Sequence, residues 1–150
     1  MQKETENLLR EIGFAVIRYR EVYRRWCRRC GIKYHEMLIF YTLRDMGTCT
    51  QKEISDSYAL PKQTVHNIVH DLKARGLLLL KPDGRNHRER RLQLTEAGKR
   101  YAANFMEPLL EQERAAVAAT GPANLREAIR LLRSYTAELD AALNPTEQTR

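Results

Sequence analysis

Four hydrogen-bonding side chains of medium length share one face of a helix predicted over residues 60–78. They are spaced three or four positions apart and belong to Gln63, His66, Asn67 and His70. The opposite face is apolar and carries Val65, Ile68, Val69 and Leu72. Amide, imidazole and ammonium groups can reach the donors and acceptors on base edges in the major groove of DNA. The pattern therefore predicts one buried face and one face suited to reading bases, with Lys62 and Thr64 beside it.

Positive charge is concentrated in and after this helix. Residues 61–100 hold ten Lys or Arg against four Asp or Glu, a net charge of +6 in a chain whose net charge is +7. A basic region of this kind is expected to contact a polyanion, with nucleic acid the leading candidate. Arginines in the segment after Pro82 would hold phosphates without specifying a base sequence, and the predicted contacts are Arg85, Arg88 and Arg90.

Cys27 and Cys30 have the spacing of a redox motif, in the segment Trp26-Cys27-Arg28-Arg29-Cys30. A thioredoxin-like thiol needs a helix N-terminus to lower its pKa, but about twenty residues of helical pattern precede this pair. The thiols therefore lie near the C-terminal end of a helix, which disfavours thiolate, although the neighbouring arginines favour it. Inert thiols, a redox-sensing regulator using Cys27 and Cys30, and a thiol-disulfide oxidoreductase remain open.

Metal binding and catalysis have weak support in the sequence. His66 and His70 have the spacing of a zinc pair, but the Glu of a His-Glu-x-x-His helix is missing. Cys30, His35 and Glu36 are suggestive by ligand type only. No catalytic triad, phosphate-binding glycine loop or paired-carboxylate setting is recognisable. We therefore expect no metal, no cofactor and no enzymatic activity.

Two helices joined by a short turn place the base-reading face. Thr50-Gln51-Lys52-Glu53 is a capping box that begins a helix over about residues 51–57. Residues 58–60 form the turn, Pro61 suits a first helical position, and Gly76 suits the left-handed conformation that ends the second helix. These signals predict a helix-turn-helix.

Strands and long helices flank this motif. Residues 77–81 and 90–95 read as two strands around Pro82-Asp83-Gly84, and the loop to Glu89 is long for a hairpin. An apolar stripe from Leu9 to Trp26 predicts a long helix ended by Gly31, and a second helix covers about residues 33–45. Further helices are predicted from residue 95 or 96 to about 119 and over the stripe from Leu125 to Leu139.

The length and composition of the chain indicate one domain. Its 150 residues are 43% hydrophobic and 30% charged, which allows one core of ordinary size. The apolar runs are too short to span a membrane, and the charged N-terminus does not resemble a signal peptide. We expect a cytoplasmic protein with no membrane partner, in which the three cysteines are reduced thiols.

A helix-turn-helix followed by a basic hairpin and flanked by long helices resembles the MarR family of bacterial transcription regulators. The most specific parts are TQKEISDSYALPKQTVHNIVHDLKARGLL, residues 50–78, and LQLTEAG, residues 92–98. The resemblance implies a homodimer that binds a palindromic double-stranded operator, with the second helix in the major groove and a wing arginine in the minor groove. It departs at the Asp-x-Arg wing motif, which is Asn86-His87-Arg88 here.

The predicted fold is mainly α, a winged helix-turn-helix with a two-stranded β wing and long N- and C-terminal dimerisation helices. We predict a single domain, residues 1–150, with a DNA-binding part at 32–100 and dimerisation helices at 1–31 and 101–143. The function predicted is that of a sequence-specific dimeric regulator, a repressor that responds to a small ligand or to oxidation. Aromatic walls near a cation suit a small aromatic acid, and the predicted pocket comprises Arg18, Tyr19, Tyr23, Trp26, Tyr34, Phe40 and Tyr41.

Two other classes of function are weighed against this one. A non-specific nucleic-acid-binding protein would share the basic charge but show little preference among DNA sequences. A thiol-disulfide oxidoreductase would turn over a disulfide substrate. The operator, the inducer and the direction of regulation cannot be read from the residues.

Overall fold

The computed structural model describes residues 1–82 and 90–145, which form six helices and three strands. In chain order these are α1 (Gln2–Cys30), α2 (Tyr34–Met46), β1 (Thr48–Thr50), α3 (Gln51–Tyr58), α4 (Lys62–Ala74), β2 (Leu78–Pro82), β3 (Arg90–Leu94), α5 (Glu96–Thr120) and α6 (Pro122–Leu143). The predicted fold class is confirmed, since the chain is mainly helical with a hairpin after a helix-turn-helix. In the described ranges, no helix is both long and apolar enough to cross a membrane.

Residue contacts divide the chain into two compact units, residues 1–106 and 107–150. The first unit contains α1 to α4, the sheet and the start of α5. The second contains the rest of α5 and all of α6. The helix-turn-helix and its surroundings therefore lie in the first unit.

Local capping sets the two helices of the helix-turn-helix. Thr50 Oγ1 accepts a hydrogen bond from the Glu53 N–H at 3.1 Å, and Glu53 Oε2 accepts one from the Thr50 N–H at 2.7 Å. This is the predicted capping box, and it begins α3. Ala59 closes α3 in the left-handed conformation with φ of 49°. Pro61 lies just before α4 as its N-cap, one position earlier than predicted.

The sheet has three strands rather than the two predicted, in the antiparallel order β1-β3-β2. No strand is predicted from the sequence at residues 48–50, but these residues pair with residues 91–93 of β3. Cys49 consequently lies opposite Leu92, and both side chains are fully buried. A strand of three residues is too short to show an alternating pattern in the sequence, so only the tertiary pairing reveals it.

The junction between the sheet and α5 is built around Thr95. Its hydroxyl donates to the Gly76 carbonyl at 2.7 Å and accepts from the Gly98 N–H at 2.9 Å. Gly98 packs so closely that an added Cβ would lie 2.0 Å from the Leu77 carbonyl oxygen. The Thr95 and Gly98 positions of LQLTEAG therefore have a structural cause, because the Thr95 hydroxyl and the absence of a side chain at Gly98 are both needed here.

The core of the first unit joins α2, α4 and α5. Phe40 is fully buried, and its ring centroid lies 5.5 Å from those of both Tyr101 and Phe105. Val65 and Leu72 of α4 are also fully buried, as is Ile54 of α3. This packing fixes the inner face of α4 and leaves its outer face free of the core.

Two helices present large apolar side chains to solvent. Those on α1 are Leu8, Leu9, Phe14, Val16, Ile17, Tyr19 and Val22, each at least 42% exposed. Those on α6 are Ile129, Leu131, Leu132, Leu139 and Leu143. Most side chains on the predicted stripes of both helices are thus exposed or only partly covered within one chain.

Candidate nucleic-acid interface

The outer face of α4 carries the predicted base-reading side chains. Gln63, His66, Asn67 and His70 are all exposed, whereas Val65, Val69 and Leu72 behind them are buried. Gln63 Nε2 donates to Asn67 Oδ1 at 2.7 Å, one helical turn along. Side-chain donors and acceptors are thus displayed on one surface, as readout of base edges requires.

The N-terminal ends of α3 and α4 enclose a small depression next to this face. It has a volume of about 350 Å³ and is lined by Gln51, Lys52, Lys62, Gln63 and His66. Lys62 is exposed, and Lys52 lies 2.7 Å from Asp56 on the outer side of α3. Ammonium groups beside a base-reading face are suited to hold the phosphates that flank the bases. Lys62, Gln63 and His66 are therefore brought together by the fold, whereas Thr64 is half-buried and does not line this depression.

The arginines of the hairpin are placed only in part. Arg90 is exposed at the start of β3, whereas Arg85 and Arg88 lie outside the described residues, as do Asn86 and His87 of the wing motif. Arg91 is engaged by the protein, because its Nε donates to Thr48 Oγ1 at 3.0 Å and an Nη to the Thr48 carbonyl at 2.8 Å. Arg91 therefore fixes the hairpin to β1.

A buried carboxylate beneath the end of α4 is a feature that sequence reasoning missed. Glu36 of α2 is 4% exposed, and its Oε1 accepts from Arg75 Nη1 at 3.0 Å. The Tyr101 hydroxyl lies 3.4 Å from the same oxygen, and the Arg75 guanidinium stands 5.0 Å from the Tyr101 ring centroid. This triad ties α4 to α2 and α5. The sequence feature that could have indicated this triad is Glu36 itself, a single acidic residue next to the apolar side of the second helix.

Comparison with known proteins shows a similarity to one family. A sequence model described as MarR family matches residues 31–89. A MarR family regulator from Neisseria meningitidis, NMB1585, has a solved structure that matches with a TM-score of 0.83 and 27% identity, covering 93% of this chain and 99% of that one. This chain is similar to the MarR family, over residues 31–89 by sequence and over most of its length by fold. The family contains transcription regulators that bind DNA, and the resemblance found in the sequence is confirmed.

Two further relatives show what other members do. BpsR of Bordetella bronchiseptica, whose DNA binding is regulated by 6-hydroxynicotinic acid, is 25% identical, with a TM-score of 0.63 and coverage of 87% of this chain and 91% of that one. The transcriptional repressor NicR of Pseudomonas putida is 41% identical over 56 residues. That match spans 37% of this chain and only 35% of the repressor.

The aromatic side chains predicted to bind an effector are dispersed in this protein. Tyr19 and Tyr23 pack edge to face with ring centroids 5.2 Å apart, and Arg18 is exposed nearby on α1. Tyr34 instead faces the guanidinium of Arg24, which is 5.6 Å from its ring centroid. Phe40 belongs to the core, and Tyr41 is half-buried.

Trp26 is the member of this aromatic set with a buried polar atom that makes no hydrogen bond to the described residues. Its indole Nε1 is buried and has no hydrogen-bond partner among the described residues. Arg29 lies over its ring at 5.6 Å. A buried N–H donor normally finds an acceptor, and none of the described residues supplies one here.

The thiols differ in accessibility. Cys27 and Cys49 are buried, and burial raises the pKa of each to about 11. Cys30 is exposed. The first predicted redox residue is therefore held as a thiol, and the second can be reached by oxidants. Within residues 1–82 and 90–145, no group of three His, Cys, Asp or Glu is arranged to hold a metal ion.

Proposed function

We propose that this protein is a dimeric, sequence-specific DNA-binding repressor whose operator affinity responds to a small ligand or to oxidation. The observation that carries the proposal is the outer face of α4, where four exposed hydrogen-bonding side chains back onto a buried apolar face. NicR is described as a transcriptional repressor, and its similarity to this chain over 56 residues supports the proposal of repression. The basic region around α4 supplies the charge that DNA binding requires.

In this proposal the side chains of α4 divide into two roles. Base edges are read by Gln63, His66, Asn67 and His70. The DNA backbone is held by Lys62 and Thr64. Arg90 contacts phosphate from the start of β3. Arg85 and Arg88 remain predicted contacts from the sequence.

The homodimer is proposed from the apolar faces of α1 and α6. Monomeric proteins seldom expose many large apolar side chains on two helices, and Leu9, Val16 and Tyr19 of α1 repeat at helical spacing. Packed around a two-fold axis, such helices would hold two copies of α4 about 34 Å apart, one turn of DNA. The operator would then be a palindrome with half-sites at that separation.

A small aromatic acid is the proposed effector. The aromatic residues of α1 and α2, with Arg18, supply ring contacts and a cation, and the unpartnered Trp26 N–H supplies a donor. BpsR, a relative of similar fold, responds to 6-hydroxynicotinic acid. Oxidation, the alternative signal, would begin at the exposed Cys30 rather than at Cys27.

Selection of bound sequences from a random DNA pool tests the proposal. A repressor of this kind should enrich a palindrome and prefer it to random DNA by a factor of about a thousand or more. Equal affinity for selected and random DNA would instead indicate a non-specific nucleic-acid-binding protein. Turnover of a disulfide substrate in a reductase assay would indicate an oxidoreductase.

Paired substitutions separate the two roles on α4. Gln63→Ala should cost about 1–3 kcal/mol of discrimination between operator and mismatched DNA. Lys62→Ala should weaken binding to both DNAs alike and reduce the salt slope by about one ion. Lys3→Ala, near the start of α1, serves as the matched control. If Gln63→Ala changed both affinities equally, Gln63 would not read a base.

A further inference from the structure

The base-reading face of α4 is bordered by a depression on each of its two sides. Lys62 and His66 line the depression toward α3 described above. Thr64 and Asn67 line a second one, a cleft of about 600 Å³ toward the C-terminal end of α1 and the turn into α2. In an α-helix with about 3.6 residues per turn, Lys62 and Thr64 point in directions about 160° apart. The depression and the cleft therefore lie on opposite sides of the base-reading face.

Cations line both of these hollows. Lys52 and Lys62 line the depression toward α3, and Arg24, Arg28 and Lys33 line the cleft toward α1. Carboxylates are absent from both linings in the described part of the chain. A neutral, hydrogen-bonding face thus lies between two positive borders.

The cations of the cleft differ in what holds them. Lys33, the residue before α2, is exposed. Arg28 pairs with Glu21 at 2.7 Å, and the two side chains are 63% and 43% exposed. A pair this exposed contributes little to stability, so Arg28 can exchange Glu21 for a phosphate at small cost. Arg24 instead lies 5.6 Å from the ring centroid of Tyr34. Arg28 and Lys33 are therefore the two cations best placed to meet an anion outside the protein.

The end of α1 that borders the cleft carries excess positive charge. Residues 18–29 contain six arginines and one acid, Glu21. The effect of this charge is visible at His35, whose pKa is lowered by burial and then by Arg24 and Arg20. An uncompensated cluster of this kind attracts a polyanion.

A helix in the major groove of DNA has phosphates on both sides. The groove is about 12 Å wide and a helix with its side chains is about 10–12 Å across, so both sugar-phosphate backbones lie beside the helix. Contacts to both backbones would fix the rotation of α4 about its own axis, and this rotation decides which side chains face the bases. The two positive borders of α4 match this arrangement.

We propose that Arg28 and Lys33 bind phosphates of the DNA backbone that borders the major groove on the side of α4 away from Lys52 and Lys62. The inference rests on the proposed function, because it extends the same DNA interface. It gives the end of α1 and the turn into α2 a role in DNA binding, whereas the sequence assigned α1 to dimerisation and to a ligand.

Salt titrations of the affinity of the full chain for its selected operator and for random DNA test the contacts. Arg28→Gln and Lys33→Gln should each reduce the salt slope by about one ion per half-site and weaken binding to both DNAs alike. For each half-site, the loss should be about 3.5-fold larger at about 50 mM salt than at about 200 mM. Arg10→Gln is the matched control, because Arg10 lies about 27 Å from Arg28 along α1 and hydrogen-bonds Asn7. Melting temperatures show that each variant is folded.

The pair between Arg28 and Glu21 allows a test with the opposite sign. Glu21→Gln releases the Arg28 guanidinium and should tighten binding to both DNAs by about twofold. Glu11→Gln removes the same charge from an exposed position further from the cleft and should have a smaller effect. Equal effects of the two substitutions would contradict the role of Arg28.

Operators with single methylphosphonate linkages locate the contacts. In the parent protein, neutral linkages should weaken binding at two groups of phosphates, one on each side of the major groove. Arg28→Gln and Lys33→Gln should become insensitive to one group, and Lys62→Ala should become insensitive to the other. Loss of the same group in all three variants would overturn the proposal. Unchanged salt slopes in Arg28→Gln and Lys33→Gln would also overturn it, as expected if these cations met an acidic protein instead.

Failure of this inference can be told apart from failure of the proposed function. A selected operator bound with unchanged slopes by Arg28→Gln and Lys33→Gln keeps the proposed function and refutes the second phosphate contact. Reduced slopes on random DNA, without any selected operator, keep the contact and refute sequence-specific binding.

Discussion

Arg75, the residue that ends α4, donates to the buried carboxylate of Glu36 at 3.0 Å. The Glu36 side chain is 6% exposed, so few of its interactions are with water. The Tyr101 hydroxyl shares the same carboxylate oxygen. The position of α4 therefore depends on a charge in the interior of the protein as well as on apolar packing.

Removal of Arg75 should destabilise the fold more than removal of its outer partner. Arg75→Met leaves the Glu36 carboxylate buried with one weak partner, at a cost of about 2 kcal/mol of unfolding free energy. Asp71→Asn breaks the second pair of the same arginine, at 3.3 Å, but Asp71 is 55% exposed and the cost should stay below about 1 kcal/mol. Urea denaturation of both variants measures the difference. Equal losses would show that Glu36 does not need Arg75.

Gly98 should tolerate no side chain. An added Cβ would lie 2.0 Å from the Leu77 carbonyl oxygen, so Gly98→Ala must move backbone and should cost about 1–3 kcal/mol. Gly13→Ala is the matched control, because Gly13 lies inside α1 with nothing within 4 Å of an added Cβ. That substitution should stabilise the protein by about 0.5–1 kcal/mol. Thermal unfolding curves of the two variants should thus shift in opposite directions.

The three thiols should differ in their reaction with iodoacetamide. At pH 8 a thiol with a pKa of about 11 is about one part in a thousand thiolate, which applies to Cys27 and Cys49. We expect rapid alkylation of the exposed Cys30 and modification of the other two only after unfolding, followed by mass spectrometry. Cys30→Ser should then remove the fast phase. Rapid loss of Cys27 in the native parent would contradict its burial.

His35 should titrate below its ordinary value of 6.5, because burial and then Arg24 and Arg20 disfavour its charged form. The unfolded chain therefore takes up this proton first as the pH falls. The stability contribution of neutral His35 is complete above pH 6.5 and decreases below it, until the pH passes the pKa of the folded state. NMR titration of the imidazole measures the midpoint, and Arg24→Met should move it upward. An unchanged midpoint in Arg24→Met would show that the Arg24 guanidinium does not act on His35.

Local signals explain why the helix-turn-helix could be predicted from the sequence. The capping hydrogen bonds join Thr50 to Glu53, three positions away. The apolar spacing of Val65, Val69 and Leu72 spans seven positions. Such short-range features do not depend on the rest of the fold. The polar face of α4 follows from the same periodicity.

Long-range pairing accounts for what the sequence did not reveal. Glu36 meets Arg75 and Tyr101 from positions 39 and 65 residues away. β1 forms because β3, more than forty residues later, offers an edge to Thr48. The aromatic residues were grouped by type and proximity in the sequence, but Phe40 turned inward to the core while Tyr34 turned to Arg24.

The hydrogen bonds of Thr95 join the end of α4 to the base of the hairpin. The Leu77 N–H donates to Leu72, the Thr95 N–H donates to Leu77, and the Thr95 hydroxyl reaches Gly76. Because Gly76 alone separates Arg75 from Leu77, the connection between α4 and the hairpin is too short to change its length. In the proposed complex, α4 reads bases and the hairpin contacts phosphates, so both elements must move as one piece. Half-sites should therefore tolerate no insertion between the base pairs read by α4 and the phosphates contacted by the hairpin, and variation in operator length would be confined to the spacer between protomers.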